Sequence, residues 1–322
     1  MSAGLAMEGS EMTATITPTL AGADFDAIFT ECSHSSSLQL VNPSQLRLFY
    51  LDTINGLFDY AGLEEFILDC LGDYVFSRAE IEDYIQRGKT RNISLYALRR
   101  LRQQQTAGQI GSGSDLGEIL LFVFLEKILG APKIMSKIEL NRAGGAQLSR
   151  CDAIHLRPPN LAGNLPYNTI VFGTSEIVDD IEDAIDDAFE RINRIQTNQR
   201  NEVLMAENTV FEKTFDDRTT HHIKDLLIPT KGRGTKRDIG YGIFLGYKLG
   251  LNPSAYSSGS FDAQLVDKMR LDIAQHAGLI MRKINELNLA NHSFYIYVLP
   301  LNLPSTDRIE IMNHVLDQGV QP

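Results

Sequence analysis

The sequence has 322 residues, a formal net charge of −11 and a hydrophobic content of 43%. This composition is typical of a globular protein with a sizeable core. The acidic excess argues against strong unassisted binding to nucleic acid, because the long-range field repels phosphates, but it leaves room for a local basic groove or a partner. The cysteines are widely spaced at Cys32, Cys70 and Cys151. That spacing favours neither a disulfide framework nor a cysteine zinc site, and it fits a reducing compartment.

The first 22 residues are small, rich in Ser and Thr, and aperiodic, which predicts a disordered tail. They lack the basic start and the long apolar stretch of a secretory signal. The longest apolar run, residues 119–125, is too short to span a bilayer. We therefore expect a cytoplasmic protein without a membrane segment.

Helical periodicity dominates the next part of the chain. Residues 45–72 and 77–103 are predicted to be helical, and Ser77 with Glu80 forms a plausible capping box at the start of the second segment. Residues 105–114 are rich in Gly, Ser and Gln and predict a hinge. These patterns indicate a mostly helical N-terminal region, residues 23–110, followed by a second domain over 111–322.

The pattern after the hinge is typical of an α/β or α+β fold, in which helices cover a mixed sheet. The first three strands can form a meander. The predicted helices are 115–130, 177–195 and 261–288, and the predicted strands are 133–140, 148–156, 167–178, 238–249 and 293–301.

Acidic residues fall at informative places in these elements. Glu118 lies on an otherwise apolar helix, and Asp152 lies within the second strand. Thr174 and Glu176 are two residues apart at the end of the third strand, so both point to one face, where Asp152 can lie beside Glu176. Carboxylates that converge at a sheet edge suit Mg²⁺ or Mn²⁺, which can assist hydrolysis of a phosphodiester. The alternative is that these acids are exposed or paired with cations.

Several runs resemble the nuclease subunit HamA of Hachiman anti-phage defence systems. They are "DLGEILLFVFLEKILGAPKIMSKIEL", "CDAIHL", "GIFLGY" and "FYIYVLP". The resemblance implies a PD-(D/E)xK-type nuclease fold, DNA as the substrate, a superfamily 2 helicase (HamB-like) as the partner and a prokaryotic source. It also implies that Glu118 and Asp152 are site acids, with Lys137 and His155 nearby.

The sequence departs from the family at the third strand. The family pattern is Gly-Glu-Ser-Lys, whereas this chain has Gly173-Thr174-Ser175-Glu176. A hydroxyl binds divalent cations less well than a carboxylate, but Asp152, Glu176 and Glu118 would still provide enough acids for one ion. The following helix has no lysine to replace the missing one, since its first cation is Arg191. Lys137 is the other candidate, provided that it faces the site from the preceding strand.

Two functions remain open after this comparison. One is a Mg²⁺- or Mn²⁺-dependent DNA endonuclease that acts with the helicase, with Asp152, Glu176 and Glu118 as ligands and Lys137 as a catalytic group. The other is a catalytically degenerate nuclease-fold subunit that serves as a binding module for the helicase. In either case no nucleotide hydrolysis by this chain is expected, because a P-loop ending in Gly-Lys-Ser/Thr is absent from the sequence.

A basic loop precedes the fourth strand of this domain. Its cations are Lys231, Arg233, Lys236 and Arg237. They are possible contacts to DNA phosphates, and the alternative is a solvated loop. The adjacent pair His221 and His222 lacks the ligand spacing of a zinc site.

Overall fold

The centre of the fold is a mixed sheet of seven strands within the described residues. The computed structural model describes residues 16–20, 24–104, 114–144, 149–162, 165–207, 217–227 and 236–318. The strands are β1 Thr30–Cys32, β2 Gln45–Tyr50, β3 Thr53–Ile54, β4 Leu57–Phe58, β5 Lys133–Ser136, β6 Ala153–Arg157, β7 Asn168–Ile177, β8 Arg237–Lys248 and β9 Ser293–Leu301. Their order in the sheet is β1-β2-β9-β8-β7-β6-β5, and β3 and β4 form a separate hairpin.

Helices flank the sheet, which confirms the predicted α/β class. The helices are α1 Ala61–Val75, α2 Arg78–Gln86, α3 Ile93–Gln104, α4 Ser114–Lys127, α5 Lys137–Gly144, α6 Ile181–Glu207, α7 Asp217–Leu227, α8 Ser258–Glu286 and α9 Pro304–Asp317. Helix α4 packs on β7 and β8, and α1 and α9 pack against α4. Helix α6 also packs on β7 and β8, and α8 packs against α6.

The sheet combines an antiparallel and a parallel part. Strands β5, β6 and β7 form the predicted antiparallel meander. Strands β7, β8, β9 and β2 run parallel. The centre of this parallel part is buried on both faces, which explains the nearly continuous apolar runs of β8 and β9.

Glycines allow α4 to lie close to the sheet. A Cβ on Gly173 would lie 2.7 Å from a methyl carbon of Leu121, and one on Gly242 would lie 2.8 Å from a methyl carbon of Leu125. Gly117 of α4 approaches β7 in the same way, since its Cβ would lie 3.0 Å from Ser175 Oγ. Residues 173 and 175 therefore face α4, and alternation along the strand turns 174 and 176 to the other face.

Three predicted elements are wrong in part. Residues 45–72 are not one helix, because β2 and the β3–β4 hairpin precede α1. The hairpin turns at Asn55 and Gly56, whose φ angles are +54° and +76°. An Asn-Gly pair is a strong hairpin signal in a sequence. The helical periodicity of the α1 residues that follow obscured both this hairpin signal and the alternating pattern of β2.

The strand predicted over 133–140 is also too long. It ends at Ser136, and α5 begins at Lys137. The reason is local: the Ser136 N–H donates to Glu139 Oε2 at 2.9 Å, and the Glu139 N–H donates to Ser136 Oγ at 3.4 Å. This reciprocal pair starts a helix. The strand predicted from residue 148 likewise begins only at Ala153.

Parts of the N-terminal region join the same structure. Its strands β1 and β2 belong to the main sheet. Residues 16–20 pack on α4, where the Thr19 hydroxyl donates to Glu126 Oε1 at 2.9 Å. The capping box of Ser77 and Glu80 is confirmed. Most of the predicted tail and nearly all of the hinge lie outside the described residues. No helix in the described ranges is long and apolar enough to cross a membrane.

Candidate functional site

A small pocket of about 60 Å³ lies at the C-terminal end of β7. Parts of α4, β7, α6 and α9 meet there because α4 packs close to the sheet and α6 returns across β7. The pocket is lined by Gly117, Glu118, Ser175, Glu176, Arg191 and Arg308. Two of the acids predicted for the site, Glu118 and Glu176, therefore line one cavity.

Asp152 lies beside this pocket, fully buried, immediately before β6. Its Oδ2 accepts hydrogen bonds from the Ser175 N–H at 2.8 Å and the Ser175 hydroxyl at 3.0 Å. Its Oδ1 accepts from Lys137 Nζ at 3.1 Å and from the Arg191 guanidinium. Burial raises the pKa of Asp152, but the charges of Lys137 and Arg191 outweigh that effect and hold the pKa below its usual value. The carboxylate is therefore ionised and satisfied.

Arg191 joins the two acids that the sequence places side by side. Its Nη2 donates to Asp152 Oδ1, and its Nη1 donates to Glu176 Oε1 at 3.0 Å and to the Ser175 carbonyl at 3.2 Å. Sequence reasoning did not assign Arg191 to the site. The available signal was that it is the first cation after β7; the third turn of α6 brings it back over the strand.

Lys137 reaches Asp152, although not from a strand. It is the first residue of α5, and its Nζ lies 3.1 Å from Asp152 Oδ1 and 3.2 Å from the Cys151 carbonyl. Burial lowers the pKa of Lys137, but the charges of Asp152 and Glu118 outweigh that effect and leave the pKa above its usual value. Its catalytic role stays a prediction.

Glu118 differs from Asp152 in its protonation. Its Oε2 accepts a hydrogen bond from the Tyr74 hydroxyl at 2.9 Å. Burial of the carboxyl group, together with the charge of Asp152, raises the pKa of Glu118 to about 8. Glu118 therefore takes up a proton far more readily than Asp152, and in its protonated form it can donate a hydrogen bond.

The altered positions Thr174 and Glu176 have different environments. Thr174 is fully buried, and its hydroxyl oxygen has no hydrogen-bond partner in the part of the chain that the structure describes. The Glu176 side chain is 17% exposed and reaches the pocket. Burial raises the pKa of Glu176 more than Arg191 lowers it. Of the two, only Glu176 lines the pocket.

As they are arranged, these residues do not fit a divalent metal ion. Within the described ranges, no group of three His, Cys, Asp or Glu side chains could hold one. Asp152 and Glu176 are already bound by Arg191, which occupies the space between them. A divalent ion about 4 Å from the Arg191 charge would be repelled by roughly 8 kcal/mol at an effective dielectric constant of about 20.

The two cations of the basic loop that the structure describes, Lys236 and Arg237, do not line this pocket. Lys231 and Arg233 lie outside the described residues. Lys236 is exposed, with its Nζ 5.5 Å from the centre of the Tyr167 ring. Arg237 pairs with Asn168 at the start of β7, whereas the pocket lies where β7 ends. Contact of these cations with DNA stays a prediction.

His155 belongs to the core and not to the pocket. Its ring is fully buried on the face of the sheet that α4 covers, with Nδ1 2.7 Å from the Ala131 carbonyl. Nδ1 must therefore donate, which leaves Nε2 unprotonated and, among the described residues, without a hydrogen-bond partner. Burial lowers the pKa of His155 to about 4. His155 is therefore a packed core histidine and not a pocket residue.

His155 is expected to weaken the fold in mild acid. Between pH 6.5 and about 4 the unfolded chain binds a proton at this side chain and the folded chain does not, so stability falls as the pH falls. Urea unfolding at pH 7 and pH 5 should show about 2 kcal/mol more loss for the wild type than for His155→Gln, which keeps a donor for Ala131. Equal losses in the two proteins would contradict a buried neutral imidazole.

The comparison with protein families agrees with the resemblance seen in the sequence. A search of curated proteins finds no match. A model of the HamA family matches residues 26–315. This match includes the pocket-lining parts of α4, β7, α6 and α9 as well as both N-terminal strands of the main sheet. The chain belongs to the HamA family.

Proposed function

We propose that the chain is the nuclease-fold subunit of a Hachiman anti-phage system and that it cleaves DNA in complex with a superfamily 2 helicase. Membership of the HamA family suggests a Hachiman component. The observation that supports the nuclease is the meeting of Asp152, Glu176 and Glu118 with Lys137 at one pocket beside the end of β7. Carboxylates beside a lysine are the groups used in phosphodiester hydrolysis.

The chain's own residues can take distinct roles in this proposal. Ser175 orients Asp152 through its N–H and hydroxyl. Lys137 places a positive charge next to Asp152, where it can stabilise negative charge that develops on a phosphate. Glu176, at the pocket, is placed to accept a proton from water. Mg²⁺ or Mn²⁺ is the cofactor in this proposal, and its entry requires an arrangement of Arg191 other than the one described.

A second function is supported by the same arginine. Arg191 spans Asp152 and Glu176, and Thr174 offers a buried hydroxyl where the family pattern has a carboxylate. A site closed in this way suits a degenerate subunit that binds the helicase without cleaving. The two functions differ in whether Asp152 is needed for any cleavage at all.

Plasmid cleavage tests the proposed function directly. The purified chain, alone and with its helicase, is incubated with supercoiled plasmid and Mg²⁺ or Mn²⁺. We expect the complex to nick or linearise the plasmid and Asp152→Ala to reduce this to background. Asp267→Ala is the matched control, because Asp267 is exposed and, within the described residues, forms its ion pair with Arg270 in its own helix turn.

The result also decides between the two functions. Cleavage that Asp152→Ala leaves unchanged would assign the activity to another site or to a contaminant. Absence of cleavage by the wild-type complex with either ion, while the helicase is bound, would favour the degenerate subunit.

A further inference from the structure

The position of Arg191 is unusual for a surface helix residue. Its side chain is 27% exposed, and its guanidinium donates to one carboxylate oxygen on Asp152 and to another on Glu176. The same guanidinium also donates to the Ser175 carbonyl at 3.2 Å. The guanidinium presents its donors in a planar, rigid fork, which can hold two carboxylates at fixed positions.

Each carboxylate that this guanidinium contacts already has a cationic partner. Asp152 and Glu176 are the acids, and Lys137 and Arg191 are the cations that bind them. A buried cluster is stable when each charge has a partner, and an added dication would leave positive charge without one. Arg191 is the cation that contacts both acids, so its guanidinium lies between them.

We propose that Arg191 is a built-in cation that occupies the place of a divalent ion between Asp152 and Glu176, so that the resting chain is closed to Mg²⁺ and Mn²⁺. This inference rests on the proposed function only in treating these carboxylates as the reactive centre. Opening the site then requires movement of one side chain of α6. The sheet and the other site residues can stay in place, because Ser175 holds Asp152 independently of Arg191.

Binding of Mn²⁺ to the purified chain tests this inference without reference to cleavage. Free Mn²⁺ is measured by electron paramagnetic resonance during titration of the wild type and of Arg191→Gln. We expect the variant to bind one ion at least tenfold more tightly than the wild type. Adding Asp152→Asn to Arg191→Gln should remove the gained site.

The matched control is Arg194→Gln, one turn along on the same helix. Arg194 is exposed and pairs with Glu190 at the surface. Its loss removes one positive charge from α6 but leaves the pocket unchanged, so Mn²⁺ binding should equal that of the wild type. An equal gain in Arg194→Gln and Arg191→Gln would show a general charge effect and would overturn the inference.

Two further results complete the test. Tight binding of Mn²⁺ by the wild type at Asp152, or no gain in a folded Arg191→Gln, would overturn the inference. If circular dichroism shows that Arg191→Gln does not fold, Arg191→Met decides, because methionine keeps an aliphatic stem and removes the positive charge. Arg191→Met should gain the Mn²⁺ binding, and no gain in this variant refutes the inference. Gained ion binding without any plasmid cleavage would support the closed site while contradicting the nuclease function.

Discussion

Lys133→Met is expected to lower the free energy of unfolding by about 3–5 kcal/mol, the range found when one partner of a buried ion pair is removed. Lys133 is 1% exposed, although lysine is rarely buried. Its Nζ lies 3.0 Å from Glu139 Oε2. It also donates to the carbonyls of Asp73 at 2.6 Å and Phe76 at 2.9 Å, around the C-terminal end of α1. Methionine fills similar space but leaves these acceptors without a donor.

Urea unfolding at neutral pH measures this effect. Lys248→Met is the control, because Lys248 is exposed at the end of β8 and should change stability by less than about 0.5 kcal/mol. Glu139→Gln added to Lys133→Met should recover part of the loss, since no buried charge then remains unpaired and the amide oxygen can still accept from Ser136. A loss below about 1 kcal/mol for Lys133→Met would show that water or other groups replace the ammonium.

Asp152→Asn is expected to destabilise the free chain by about 2–4 kcal/mol, because it leaves Lys137 and Arg191 near each other without their shared partner. The sign of this change is informative. In an open site made of clustered carboxylates, loss of one carboxylate relieves repulsion and stabilises the protein in the absence of metal. In the closed arrangement it removes the acid that holds two cations.

Thermal or urea unfolding in the presence of a chelator separates these cases. Asp267→Asn serves as the control for loss of an exposed aspartate and should be nearly neutral. Stabilisation of the chain by Asp152→Asn would contradict the ion network and would indicate that the cations do not hold Asp152 in solution.

Elements that are buried on both faces were predicted most accurately from the sequence. Strand β9 was predicted at its observed bounds, and β7 and β8 to within one residue at each end, because strands buried on both faces are continuous apolar runs. Strand β2 was missed because its alternation stands next to the strong helical periodicity of α1. The start of α5 at Lys137 was missed because a Ser-x-x-Glu pair inside an apolar run was not interpreted as a helix cap.

The site divides in the same way between sequence and structure. The sequence by itself indicated the family and the sheet class, and it predicted Glu118, Asp152 and Glu176 as site acids, since residue type and strand period carry that information. Only the tertiary structure showed that burial raises the pKa of Glu118, that Lys137 reaches Asp152 from a helix, and that Arg191 joins Asp152 to Glu176. Charge interactions depend on distance and burial. Asp152 and Arg191 are 39 residues apart in the chain, so their contact exists only once β6 has paired with β7 and α6 has packed on the sheet.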